Sequence, residues 1–75
     1  MTDKSRKKAL GERIKSMRIA CGYTQKALAE KLGKSESAVR MWELGKSAPT
    51  IFDIAKLAKF LNTSIDAIAP SEKEA

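Results

Sequence analysis

Histidine is absent from this 75-residue chain, and cysteine occurs once, at Cys21. Without imidazole there is no histidine general acid or base, no Ser–His or Cys–His nucleophile pair and no histidine metal ligand. One cysteine builds neither a disulfide framework nor a zinc cluster, and it fits a reducing compartment. Aromatic residues are few. Tyr23 and Trp42 alone among the large ones carry a polar tip, and Trp42 falls on an apolar stripe, so no stacking platform for single strands or RNA is present. No run approaches the roughly 18 apolar residues of a membrane helix, and no signal-peptide pattern opens the chain. The expectation is a soluble, cytoplasmic protein. Two Gly-Lys-Ser triplets, at Gly33 and Gly45, fail as phosphate-binding loops, because the glycine needed five residues earlier is Leu28 in one case and Arg40 in the other. No enzyme activity, cofactor or metal is expected.

What is present is positive charge. Lys and Arg number 15 against 9 acids, a net charge of +6. Residues 1–46 hold 12 bases and 5 acids, whereas residues 47–75 hold 3 and 4. A basic front and a near-neutral back suit a surface for a polyanion and a separate face for something else. The 43% apolar and 32% charged content is that of one small globular domain.

Along the chain, residues 1–8 read as a basic arm leading into a helix, with Lys4, Arg6, Lys7 and Lys8 in close succession. Such a run holds phosphates or is simply a solvated terminus. A folded domain is expected over 9–69, and a polar tail over 70–75. Leu10, Ile14, Met17 and Cys21 recur at helical spacing, and Gly22 ends that helix. Cys21 is thereby expected to be a small core residue. Thr24 caps a second helix bearing Ala27, Leu28 and Leu32, which Gly33 stops. Ser35 caps a third, with Ala38, Val39 and Trp42 inward, and Gly45 closes it. Pro49 and Thr50 start a fourth, in which Thr50 and Asp53 have capping-box spacing and Ile51, Ile54, Leu57, Ala58 and Leu61 form the stripe. Asn62 fits a left-handed stop, and Ser64 opens a short fifth helix with Ile65 and Ile68. No strand pattern and no internal repeat occur.

Gln25 to Lys46 is the informative stretch. Two short helices flank a turn at Gly33, where positive φ is needed, and Ala29 is small enough for a close crossing. Thr24-Gln25-Lys26-Ala27-Leu28-Ala29-Glu30-Lys31-Leu32-Gly33, followed by Ser35, Val39, Trp42-Glu43, Gly45-Lys46 and Pro49-Thr50, resembles the Cro/lambda-repressor-type helix-turn-helix family of phage and bacterial regulators. The resemblance covers about residues 10–69. It implies an all-α, five-helix DNA-binding domain whose third helix enters the major groove, bound as a homodimer to a palindromic operator. It also implies that Gln25 holds a phosphate and that Arg18 pairs with Glu43, aiming Arg18 at the DNA backbone.

In a recognition helix over 35–44 the side chains pointing away from Val39 and Trp42 are Glu36, Ser37, Arg40 and Met41. These are the expected base contacts: Arg40 on guanine, Glu36 on the cytosine amine, Ser37 as an adaptable partner and Met41 on a thymine methyl. Glu36 is equally suited to the helix dipole, and Met41 to packing on the rim. Expected phosphate contacts are Arg18, Gln25, Lys26, Lys34, Ser35 and Lys46. Phe52 stands where the family usually has a polar residue, and it is expected to point outward. With Phe60, Ile65 and Ile68 it marks a face for a second chain, unless it folds over the loop between the third and fourth helices. The reading is a repressor on double-stranded DNA; the rival is an antitoxin or another protein-interaction module of the same fold, with a protein partner.

Overall fold

The computed structural model describes residues 2–70. Among these, five helices follow one another without a strand: α1 (Asp3–Ala20), α2 (Gln25–Leu32), α3 (Glu36–Glu43), α4 (Ile51–Phe60) and α5 (Ile65–Ile68). Each starts at a hydroxyl residue. Thr2, Thr24, Ser35, Thr50 and Ser64 each accept from the backbone N–H three residues on, which satisfies one of the amides a helix start leaves unpaired. At α4 the box is reciprocal: Asp53 N–H donates to Thr50 Oγ1 at 3.1 Å, and Thr50 N–H donates to Asp53 Oδ2 at 3.0 Å. Gly33 takes φ +68° past α2, and Asn62 takes φ +55° past α4.

The core gathers one stripe from every helix. Ile14, Leu28, Leu32, Val39, Leu57 and Ile68 are fully buried, with Trp42 and Leu61 beside them. Burying each large aliphatic side chain contributes about 1.5–3 kcal/mol. Ala29 is buried on α2, which packs against α3. Arg13 Nε donates to Ile68 O at 2.6 Å and fastens α5 to α1.

Several elements depart from expectation. The basic run is helical from Asp3 onward instead of a separate arm. Thr2 caps it, and Asp3 lies in the first turn where the helix dipole favours an acid. The fully buried residues of α1 are Gly11, Ile14 and Arg18, whereas Leu10 and Met17 are half-buried and pack against the core as expected. Gly11 is required there: a Cβ would come within 2.9 Å of Glu43 O and closer still to Trp42 O. Cys21 is exposed instead of lying in the core, because it follows the last turn of α1. Its Sγ donates to Leu61 O at 3.4 Å. Ile51 is 71% exposed, not inward, because the capping carboxylate of Asp53 occupies the inner position in that turn. Residues 71–75 of the expected tail lie outside the described residues.

Candidate nucleic-acid interface

The exposed face of α3 follows from what its other face does. Val39 and Trp42 are locked into the core and Ala38 is half-buried, so the opposite side is turned outward. Glu36, Ser37 and Arg40 are exposed there, and Met41 is half-buried at the edge. Arg40 Nη2 donates to Ser37 Oγ at 3.2 Å, one turn away. The helix therefore presents a guanidinium, a hydroxyl and a carboxylate from its first two turns. Leu44 extends the same line, four residues after Arg40 and seven after Ser37, and is 56% exposed. The outward residues expected from the sequence end at Met41, and one further turn of the same spacing adds Leu44.

Behind α3, one carboxylate joins three helices. Glu43, 8% exposed, accepts from Arg18 Nε on Oε2 at 2.6 Å and from Arg18 Nη2 on Oε1 at 3.1 Å. Its Oε1 also accepts from Gln25 Nε2 at 3.0 Å. Arg18 Nη1 donates to Tyr23 O at 2.8 Å. The pair implied by the family resemblance is thus present, but Arg18 is not aimed outward. It is buried, and each of its three nitrogens donates within the protein, so the structure turns the guanidinium inward.

The other expected phosphate residues lie at helix starts. Gln25 and Lys26 open α2, where the first backbone amides have no partner within the helix. Gln25 is half-buried and held by Glu43, whereas Lys26 is exposed. Ser35 caps α3, its Oγ accepting from Ala38 N–H at 3.1 Å. Lys34 Nζ lies 3.3 Å from Asp53 Oδ1, which ties the turn between α2 and α3 to the start of α4. Lys46 is exposed in the turn after α3. Asp53 feels opposing influences. Burial, the largest, pushes its carboxyl up, but the hydrogen bonds of Thr50 and the ammonium of Lys34 together hold it below the ordinary carboxylate value.

Of the residues expected to face a second chain, Phe52 is 78% exposed and Ile65 is exposed, while Phe60 is half-buried against the core. Ile68 is fully buried and leaves that face, because the short α5 turns it onto the core shared with α1 and α4. Ile51 joins Phe52 as an exposed apolar pair at the start of α4.

The arrangement has counterparts among known proteins. Residues 14–68 match the helix-turn-helix family HTH_3. The HTH-type transcriptional regulator YazB of Bacillus subtilis is 41% identical over 63 residues, which make up 84% of this chain and 91% of YazB. The phage CTXphi transcriptional repressor RstR of Vibrio cholerae is 34% identical over 55 residues, 73% of this chain and 49% of RstR. The chain spans between 30% and 52% of the length of RstR and three other curated relatives. Among solved structures, the restriction-modification controller protein C.AhdI of Aeromonas hydrophila superposes with a TM-score of 0.81 at 28% identity, covering 85% of this chain and 97% of its own. No helix among the described residues is long and apolar enough to cross a membrane. With the fold, the locked third helix and the match over residues 14–68 in agreement, the chain belongs to the Cro/lambda-repressor-type helix-turn-helix DNA-binding family.

Proposed function

We propose that this chain is a sequence-specific regulator of transcription that binds double-stranded DNA, represses, and acts as a homodimer on a palindromic operator. The observation that carries the reading is the two-sidedness of α3: Val39 and Trp42 fix it to the core while Glu36, Ser37 and Arg40 are exposed on the other side. Seated in the major groove, Arg40 pairs bidentately with guanine O6 and N7, and Glu36 accepts from cytosine N4. Ser37 adapts to either partner, and Met41 touches a thymine methyl. Gln25, Lys26, Lys34, Ser35 and Lys46 hold phosphates and fix the register. The net charge of +6 supplies the sequence-independent attraction. The name of RstR supports repression as the sign of regulation. Phe52 and Ile65, with Phe60 at the margin, form the face for the second subunit.

The exposed Ile51–Phe52 pair favours one second reading, a protein-interaction module such as an antitoxin, in which this pair seats a different protein. Selection of bound sites from a pool of random duplexes separates the two. The DNA reading expects a single enriched motif with two-fold symmetry, and placing that motif in a reporter promoter lowers output as the protein is supplied. Recovery of no motif overturns it.

A further inference from the structure

One side chain on the outward face of α3 is both apolar and widely exposed. Leu44 is 56% exposed, and it lies outside the core and the half-buried side chains packed around it. The other large apolar side chains exposed among the described residues, Ile19, Ile51, Phe52 and Ile65, belong to α1, α4 and α5. Helical backbone fixes the direction of Leu44. It closes α3 with φ −80° and ψ −10°, and its N–H donates to Arg40 O at 3.0 Å. Val39, Trp42 and Glu43 are the buried residues of α3. At about 100° per residue, Ser37, Met41 and Leu44 fall within roughly 35° of the direction opposite those three, and Arg40 stands to one side.

A leucine on the midline of this face loses water when a ligand covers it and returns no hydrogen bond. The major groove offers such a side chain one apolar group, the C5 methyl of thymine. Set against guanine, adenine or cytosine, it would cover a polar edge and leave donors or acceptors unpaired. The helix is short enough to keep its last turn in play: eight residues span about 12 Å, close to the roughly 12 Å width of the groove. Seven residues separate Ser37 from Leu44, about 10.5 Å of rise, so the two address different base pairs along a stack spaced by about 3.4 Å. We propose that Leu44 is a specificity-determining residue that reads a thymine methyl and so selects a T·A pair beyond those met by Ser37 and Arg40.

This inference rests on the duplex-DNA reading above and deepens it. The guanidinium of Arg40 selects by hydrogen bonds, whereas Leu44 selects by shape and by the penalty of covering the wrong polar edge. Its contribution is therefore confined to one base pair in each half-site.

The test uses the full chain and the duplex motif recovered by selection, with affinity measured by fluorescence anisotropy. Each thymine of the motif is replaced in turn by deoxyuridine, which removes the methyl and keeps the base pair. With the unaltered protein, one such position should weaken binding by about fourfold for each methyl lost. In Leu44→Ala the penalty at that position should vanish, whereas Met41→Ala should leave it in place. Leu44→Gln, whose amide suits adenine N6 and N7, should change the selected motif at that base pair alone. This second selection decides the matter where Leu44→Ala folds poorly. A motif without thymine, indifference of the unaltered protein to every uracil, an undiminished penalty in Leu44→Ala or an unchanged motif in Leu44→Gln overturns the role of Leu44 and leaves the DNA reading standing. Failure of the unaltered protein to select any duplex overturns both.

Discussion

Gly11→Ala sets two effects of opposite sign against each other. By helix propensity alone, alanine in the middle of α1 should stabilise the protein by about 0.5–1 kcal/mol. The packing says otherwise. The new methyl would stand 2.9 Å from Glu43 O and nearer still to Trp42 O, where a relaxed C···O contact needs about 3.3 Å or more. Both obstacles are backbone carbonyls at the end of α3, which cannot rotate aside as a flexible side chain would. α1 must therefore retreat from α3, loosening Ile14 and Trp42 and lengthening the bonds of Arg18 to Glu43. Overpacking of this kind costs about 1–3 kcal/mol, occasionally more, and fixed backbone on both contacts places it at the upper end. The expected net loss is about 2–2.5 kcal/mol, a fall in Tm of roughly 8–20 °C for a domain of this size. Thermal melts followed by circular dichroism at 222 nm read the change, with Ser16→Ala on the exposed side of α1 expected to stay within about 0.5 kcal/mol. A Tm that is unchanged or raised in Gly11→Ala would refute the close-contact argument and leave propensity as the governing term.

Other outcomes follow from the same geometry. Glu43→Ala strands the buried guanidinium of Arg18 and should cost about 3–5 kcal/mol in urea denaturation; a midpoint equal to that of the wild type counts against the network. The carboxyl of Asp53 is held below its ordinary value, so it stabilises the fold above the unfolded pKa of about 3.9, and this contribution is lost as pH falls through the lower folded value. Asp53→Asn should therefore be less stable than the wild type at neutral pH, with the gap closing on acidification below about pH 4; parallel stability–pH curves would contradict this. Arg40→Ala should cost roughly 1–3 kcal/mol on the best duplex and relax preference at one base pair, and unchanged discrimination would remove α3 from base reading. Phe52→Glu should shift the sedimentation profile toward monomer, and an unaltered dimer would exclude that face.

Local chemistry was the legible part of the fold. Thr24, Ser35, Thr50 with Asp53, and Ser64 announced their caps, because a hydroxyl before an apolar stripe satisfies amides wherever the helix later packs. Val39 and Trp42 likewise revealed which side of α3 faces outward. What the chain order concealed was set by approach between distant segments. Gly11 reads as a weak spot in a helix until the carbonyls of α3 are placed against it. The family resemblance implies the Arg18–Glu43 pair, but not that both of its members are buried. Ile51 passed for a core residue because periodicity cannot tell that a capping carboxylate has taken the inner position. Cys21 and Ile68 exchanged their expected places for a related reason: at helix ends the direction of a side chain depends on the turn that follows.

Glu43 accepts from two helices while sitting at the end of a third, so cooperative folding and the placement of α3 are not separable properties here. A genetic screen for lost DNA binding will return lesions at this hidden junction alongside changes on the exposed face of α3. Temperature sorts them: damage at the junction is relieved by growth in the cold, whereas a change on the exposed face of α3 is not.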